Sequence, residues 1–221
     1  MEGFYMTHEQ RIKQIVAVGY ERLCGKITGQ RIKVANEASL QLQFASILKA
    51  LGELYEESPS ERFNIELEKN VTLSGGRFAK SGTGKAKIDI WISLENATNG
   101  ERHACAIELK YFKRANHREP NNRYDAFKDL QNLERYGDFV DAGFLLVATD
   151  HPHYINQEEY SSDTEDFDFR HGAKYAAGAE LVYRTEKPYG APITLGNDYT
   201  FEWRTVESGL SFLFVEVEPC E

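Results

Sequence analysis

Three charged residues interrupt two apolar segments of this sequence. Asp89 lies within KIDIWISL (87–94), and Glu108 and Lys110 lie within ACAIELKYF (104–112). Side chains alternate between the two faces of a strand, so Glu108 and Lys110 share one face if the second segment is a strand. Charges on central strands are costly to bury unless they are paired or bound to a cation. The pattern therefore favours a site for a hard cation such as Mg²⁺, which prefers oxygen ligands.

A cation held by Asp89 and Glu108 would suit the hydrolysis of a phosphodiester bond. The metal can polarise a phosphoryl oxygen, acidify a bound water and orient both groups. Lys110 would lie beside the attacking water, where it could position that water or stabilise developing charge. The alternative is a surface hairpin in which the three residues form only an ion-pair cluster. The apolar neighbours in both segments favour central strands over this alternative.

Periodicity predicts the elements that would position these residues. Thr7 begins a capping box, and Asn36 is the predicted N-cap of a second helix whose apolar stripe includes Leu54. We expect Ile88, Ile90 and Ile92 to share one strand face. Helices, strands and helices in this order predict an α/β fold with a mixed central sheet flanked by helices. The predicted elements are helices over 8–24 and 36–55, strands over 63–73, 87–94 and 104–112, a helix over 122–139 and a strand over 143–149.

The periodic signal weakens beyond His151. Residues 155–170 are acidic and polar, which predicts a surface loop. No internal repeat or long linker divides the chain, so we predict a single domain over 1–221. Its core would cover about 30–150 and a C-terminal elaboration about 151–221. Additional C-terminal strands are predicted over 179–185, 199–206 and 211–217.

The distribution of charge matters more than its sum. The net charge of −9 disfavours binding to nucleic acid, which is driven by basic residues that release counterions from phosphates. However, the acid excess is concentrated at 157–168, whereas two basic segments flank the charged strands. We predict that these basic residues contact phosphates; solvated loops are the alternative. The predicted nucleic-acid-binding residues are Arg77, Lys80, Lys85, Lys87, Lys113, Arg114, Arg118 and Arg123.

Asp89, followed by Glu108-Leu109-Lys110 on the next strand, resembles the motif of the PD-(D/E)XK nuclease superfamily. Ile88 stands where that motif has Pro. The resemblance covers about residues 30–150 and implies a restriction-endonuclease-like core. It also implies that Leu109 lends a backbone carbonyl to the metal.

Glu37, at the start of the second predicted helix, resembles a further acid that many members of the superfamily carry. The resemblance thus implies metal ligation by Glu37, Asp89, Glu108 and Leu109, and catalysis by Glu37, Asp89, Glu108 and Lys110. It implies a Mg²⁺-dependent nuclease, with Mn²⁺ as an alternative cofactor. DNA is the expected partner, as for a restriction or defence-type endonuclease, and the C-terminal strands could form a homodimer interface or read the target.

Two other function classes remain open. One is a non-catalytic nucleic-acid-binding module or complex subunit that retains the nuclease fold, and the other is a structural or interaction protein. The stretch SGTGKAK departs twice from a phosphate loop, at Ala79 and Ala86, so no nucleotide cofactor is expected. The cysteines lack the spacing of a disulfide framework or zinc site, and His151 and His153 have no apparent third ligand. No membrane segment or signal peptide is recognisable, so a cytoplasmic location is the default expectation.

Overall fold

The structure is a computed structural model that describes residues 6–72 and 85–220. Its helices are α1 (His8–Thr28), α2 (Glu37–Gly52), α3 (Glu119–Glu134) and α4 (His153–Asn156), with 3₁₀ turns over Glu53–Tyr55 and Arg114–Asn116. Its strands are β1 (Glu61–Thr72), β2 (Lys85–Asn96), β3 (Arg102–Phe112), β4 (Ala142–Thr149), β5 (Lys174–Tyr175), β6 (Glu180–Leu181), β7 (Ile193–Thr194), β8 (Tyr199–Thr200), β9 (Trp203–Thr205) and β10 (Ser211–Val217).

A mixed six-stranded sheet organises these elements in the order β1-β2-β3-β4-β10-β9. Strands β3 and β4 are parallel, and the other neighbouring pairs are antiparallel. The predicted α/β class, with a mixed sheet flanked by helices, is confirmed. The C-terminal segment contributes β10 and β9 to this sheet, so it extends the sheet beyond β4.

Each face of the sheet has its own apolar core. Helices α1 and α2 pack on one face with Ile90, Ile107 and Leu146. Helix α3 and the C-terminal segment pack on the other face with Leu145 and Val147. Strand β4 is buried along its whole length, as its unbroken apolar sequence predicted. Across the described ranges, no helix has both the length and the apolar character needed to span a bilayer.

Local side-chain hydrogen bonds set the starts of the first two helices. The capping box of Thr7 with Gln10 and the N-cap of Asn36 are both present, as predicted. The second helix reaches the predicted end at Tyr55 through a 3₁₀ turn, because α2 itself ends at Gly52. The predicted place of Leu54 in the apolar stripe is wrong, since Leu54 is 79% exposed. Gly52 packs directly under the ring of Phe63, where a side chain would not fit.

The acidic segment after α4 is anchored to the core rather than being wholly a surface loop. Phe167 and Phe169 are fully buried, and they alternate with Asp166 and Asp168. The guanidinium of Arg170 donates two hydrogen bonds to the Asp168 carboxylate, at 2.9 and 2.7 Å. The alternation of strongly apolar and charged residues therefore places rings inwards and carboxylates outwards.

The contact between Asp168 and Arg170 should make the free energy of unfolding depend on pH. Burial alone would raise the pKa of Asp168, but hydrogen bonds from the Arg170 side chain and backbone hold that pKa below its usual value. The stabilisation is therefore present above about pH 4 and lost as the pH falls further. We expect Asp168→Asn to lower the unfolding free energy by less than about 1 kcal/mol at pH 7, because both groups are partly solvated. Urea denaturation should show this difference shrinking towards pH 2.5; a constant difference would contradict the assignment.

Candidate active site

The charged residues meet where β2 separates from β3. Pairing between these strands stops at Ile90 and Ile107, although β2 continues to pair with β1 as far as Lys85. Glu68 of β1 lies opposite Asp89 in the register and has a left-handed backbone, with φ 53°. The strand edge of β3 beyond Ile107 is consequently left open towards β2, and its backbone N–H groups need other acceptors.

The same distortion changes the face on which β2 places its side chains. Ile90 and Ile92 pack under α1 and α2, but Ile88 packs with Trp91 in the core on the opposite face. The prediction that Ile88 shares a face with the other two isoleucines is therefore wrong. Regular alternation holds only on one side of Asp89, where the strand is still paired with β3.

Two carboxylates fill the open edge of β3. Asp89 Oδ2 accepts a hydrogen bond of 2.7 Å from the backbone N–H of Leu109. Glu37 Oε2 accepts one of 3.3 Å from the backbone N–H of Tyr111. Gln41, one turn after Glu37 on α2, donates to the backbone carbonyl of Asp89 at 2.7 Å. Helix α2 thus supplies one carboxylate and fixes the position of another.

Glu108 and Lys110 project from β3 towards α3, on the same face as predicted. Glu108 is 1% exposed and accepts a hydrogen bond of 3.0 Å from the Tyr136 hydroxyl. The Lys110 ammonium lies 2.7 Å from Asp129 Oδ2 and donates to the Leu109 carbonyl at 2.9 Å. The carbonyl that the resemblance assigns to the metal is thus occupied by Lys110.

Negative charge surrounds the Lys110 ammonium. Burial alone would lower the pKa of Lys110, but neighbouring carboxylates raise it well above the usual value. In order of decreasing effect, these are Asp129, Glu37, Glu108 and Asp89. Carboxylates from α2, β2, β3 and α3 therefore meet around one protonated amine.

The pKa values of Glu37 and Tyr136 are also shifted by burial and by the carboxylates near Lys110. The pKa of Glu37 is raised, first by partial burial and also by the charge of Asp89, while Lys110 opposes the shift. Burial, followed by the charge of Glu108, raises the pKa of the Tyr136 hydroxyl. Tyr136 therefore remains a hydrogen-bond donor to Glu108 at any pH near neutrality.

The sequence pattern did not predict the polar residues that lie on α3 and just after it at this site. Asp129 and Asn132 are three residues apart on α3, and Tyr136 follows two residues after the helix ends at Glu134. All three are buried, and the Asn132 amide has no hydrogen-bond partner among the described residues. No local signal marked Asp129, because it is out of phase with the apolar stripe of Phe127 and Leu130, where a polar helix residue is ordinarily solvated.

The oxygen donors suit Mg²⁺ in kind. Glu37, Asp89 and Glu108 do not provide three ligand atoms within 4.8 Å of one another. Mg²⁺ needs only one or two carboxylates, because waters and substrate phosphates complete its shell. Asp89 and Glu108 come from adjacent strands at the point of separation, and the charges of both carboxylates act on Lys110.

The basic residues divide into three groups. Arg77 and Lys80 lie outside the described residues. Arg123 is 1% exposed and donates to the carbonyls of Thr164 and Phe167, so the prediction that it contacts nucleic acid is wrong. The others surround the same end of the sheet, because the start of β2 and the end of antiparallel β3 meet there. These are Lys85, Lys87, Lys113, Arg114 and Arg118.

Arg123→Ala should destabilise the fold without weakening nucleic-acid binding specifically. The change leaves two buried carbonyls without their donor and removes a guanidinium stacked 3.6 Å from the Tyr160 ring. We expect a loss of about 3 kcal/mol in unfolding free energy, measured by urea denaturation. Lys113→Ala is the matched control, and we expect it to weaken DNA binding at unchanged stability. Weaker DNA binding by Arg123→Ala at unchanged stability would instead place Arg123 at the nucleic-acid interface.

Comparison with protein-family models, curated proteins and solved structures yields no match to this chain. The resemblance to PD-(D/E)XK nucleases therefore rests on the motif residues and on the order of the elements that carry them. The chemistry of the residues around Lys110 is the further evidence that bears on function.

Proposed function

We propose that this protein is a Mg²⁺-dependent nuclease with a restriction-endonuclease-like core that hydrolyses phosphodiester bonds in DNA. One observation carries the proposal. Where β2 leaves β3, carboxylates from adjacent strands and from two helices gather around the buried Lys110 ammonium. Such a group of charges is costly to bury. A bound cation would interact with the carboxylates, and a phosphate substrate would interact with both the cation and the Lys110 ammonium.

The proposed roles follow from the contacts of each side chain. Asp89 and Glu108 would hold Mg²⁺, or Mn²⁺ in its place, and Glu37 would be a further acid at the rim. When bound, the metal would supply Lewis-acid polarisation of the phosphate and an acidified water. The Leu109 N–H and Gln41 fix Asp89 in place, as Tyr136 fixes Glu108.

Lys110 remains protonated, so it acts as a donor rather than as a base. Its ammonium has three N–H groups. Short contacts to Asp129 Oδ2 and to the Leu109 carbonyl oxygen orient two of them. With substrate present, the ammonium would donate to a phosphoryl oxygen and stabilise the charge that develops there. Asp129 keeps the amine charged and limits its movement.

The rim of the site favours a polyanion. Lys85, Lys87, Arg114 and Arg118 are exposed around the end of the sheet at which the carboxylates lie. These side chains can follow a phosphate backbone on either side of the scissile bond, and they carry no base-specific information by themselves. This local positive rim supports DNA binding despite the acidic net charge.

The direct test is cleavage of supercoiled plasmid and of a labelled duplex in Mg²⁺, Mn²⁺ or EDTA. We expect cleavage with either metal, none in EDTA, and none by Glu108→Gln. A labelled RNA of the same sequence would establish whether DNA is preferred. If the protein binds DNA without cleaving DNA or RNA in either metal, it is a binding module and the proposal fails.

A further inference from the structure

A second group of potential ligands lies at the opposite end of β3. His8 is the first residue of α1, Glu101 precedes β3, and His103 is the second residue of that strand. One ligand atom from each lies within 4.8 Å of the other two. Strands rise about 3.3 Å per residue, so the five residues from His103 to Glu108 separate this group from the candidate active site by roughly 17 Å.

The Glu101 carboxylate approaches one nitrogen of each imidazole, and the two rings are nearly parallel with centroids 5.6 Å apart. Glu101 Oε1 is 3.5 Å from His8 Nδ1 and 3.1 Å from His103 Nε2. Two ligands of a tetrahedral zinc ion are about 3.4 Å apart, given metal–ligand distances of about 2.1 Å. Asn99 holds the other oxygen, Oε2, at 3.1 Å, which leaves Oε1 directed at the rings. The spacing of this group is therefore close to that of a zinc site.

The outer nitrogen of each ring also faces a carboxylate. His8 Nε2 lies 3.0 Å from Glu61 Oε1, at hydrogen-bond distance. His103 Nδ1 lies 3.4 Å from Asp141 Oδ1 but is not aligned for a hydrogen bond. Metal-ligating histidines almost always direct their second nitrogen to such an acceptor, which fixes the tautomer. These outer carboxylates are themselves held in place.

Arg11 forms two hydrogen bonds to the buried Glu61 carboxylate, at 2.9 and 2.8 Å. The backbone N–H of Ala104 donates to Asp141 Oδ2 at 2.8 Å. Both outer acceptors are consequently rigid, and each can position the histidine next to it. This is the supporting shell that a metal site requires in addition to its direct ligands.

Each ring can present a nitrogen lone pair to a cation held by Glu101. A neutral imidazole donates from one nitrogen only, so His8, when it donates from Nε2 to Glu61, presents its Nδ1 lone pair towards Glu101. His103 Nε2 is hydrogen-bonded to Glu101 Oε1 at 3.1 Å. A cation at this position would take the place of the proton in that hydrogen bond, and the remaining ring proton of His103 would then face Asp141.

We propose that His8, Glu101 and His103 form a zinc-binding site that links the start of α1 to the start of β3. Two imidazoles and one carboxylate suit Zn²⁺, whereas Mg²⁺ and Ca²⁺ prefer oxygen ligands alone. Glu101 is exposed, so solvent reaches the site and a water can complete four-coordination. Binding to the folded state alone would stabilise the protein.

The test is calorimetric titration of metal-free protein with Zn²⁺, together with thermal unfolding. We expect one equivalent to bind at these residues and to raise Tm, with no competition from Mg²⁺. Glu101→Gln and His103→Gln should each weaken binding at least about 100-fold, and Asp141→Asn about 10-fold. Because Glu101 is exposed, its substitution should leave the fold intact, as circular dichroism would verify.

His151→Gln is the matched control. His151 also faces a carboxylate, with Nε2 3.1 Å from Glu119 Oε1, but it belongs to no group of three close ligands among the described residues. We expect this variant to bind Zn²⁺ like the wild type. Zinc bound instead by the carboxylates near Lys110 would persist in Glu101→Gln. The proposal is overturned if wild-type protein takes up no zinc, or if Glu101→Gln and His103→Gln bind it with unchanged affinity.

Discussion

Asp89→Asn should lower the rate of DNA cleavage by about 10³-fold or more while leaving the fold intact. The substituted amide keeps an oxygen that can accept the 2.7 Å hydrogen bond from the Leu109 N–H. It removes the negative charge that would hold the cation, so the loss should appear in the chemical step. Single-turnover cleavage of a labelled duplex at saturating enzyme measures this step directly.

The control for Asp89→Asn is Glu66→Gln on β1. Glu66 is an exposed acid on the strand next to Asp89, and it interacts with Lys69 rather than with the carboxylates near Lys110. We expect Glu66→Gln to cleave at the wild-type rate and Asp89→Asn to retain the wild-type Tm within a few degrees. Cleavage by Asp89→Asn within about tenfold of the wild-type rate would remove Asp89 from the metal site.

Lys110→Met should destabilise the protein by about 3–5 kcal/mol, because it breaks a buried ion pair by removing only its cation. Asp129 has no exposed surface, and its carboxylate lies 2.7 Å from the Lys110 ammonium. Removal of the amine also withdraws the positive charge on which Asp129, Glu108 and Asp89 all act. Urea denaturation at pH 7 would measure the loss, with Lys113→Met as the control for removal of a less buried lysine.

A double-mutant cycle separates the ion pair from other effects of removing Lys110. If the loss arises from breaking the ion pair between Lys110 and Asp129, adding Asp129→Asn to Lys110→Met should recover much of the stability. Independent, additive losses would show that the two side chains are not coupled. Lys110→Arg is informative for function, because it preserves the charge but alters its position. We expect this variant to fold normally and to cleave DNA about 100-fold more slowly.

The sequence predicts this fold well wherever one local rule decides the outcome. The cap at Asn36 and the burial of β4 follow from the side chains present, as does the shared face of Glu108 and Lys110. The predicted apolar stripe failed at Leu54, because the helix tightens into a 3₁₀ turn after Gly52, which packs against Phe63. That contact joins residues far enough apart in the chain that helical periodicity cannot detect it.

The limits of prediction at the candidate site have a similar cause. Asp89 was identifiable as a charge in an apolar strand, but Asp129 on α3 resembled an ordinary polar helix residue until β3 was packed against it. Arg123 belonged to a basic segment of the sequence, yet its partners Thr164 and Phe167 come from the acidic segment that follows α4. Local charge density therefore indicates the region of a site but not which of its members are exposed.

The position of β4 in the sheet has a consequence for how the chain folds. Strand β3 covers one edge of β4, but the other edge pairs with β10, which follows after residues 150–210. Until Ser211–Val217 is available, β4 presents an unpaired edge on a strand whose residues are all buried in the finished sheet. Such an edge can pair with another chain, so loss of β10 should lead to aggregation rather than to a smaller stable protein.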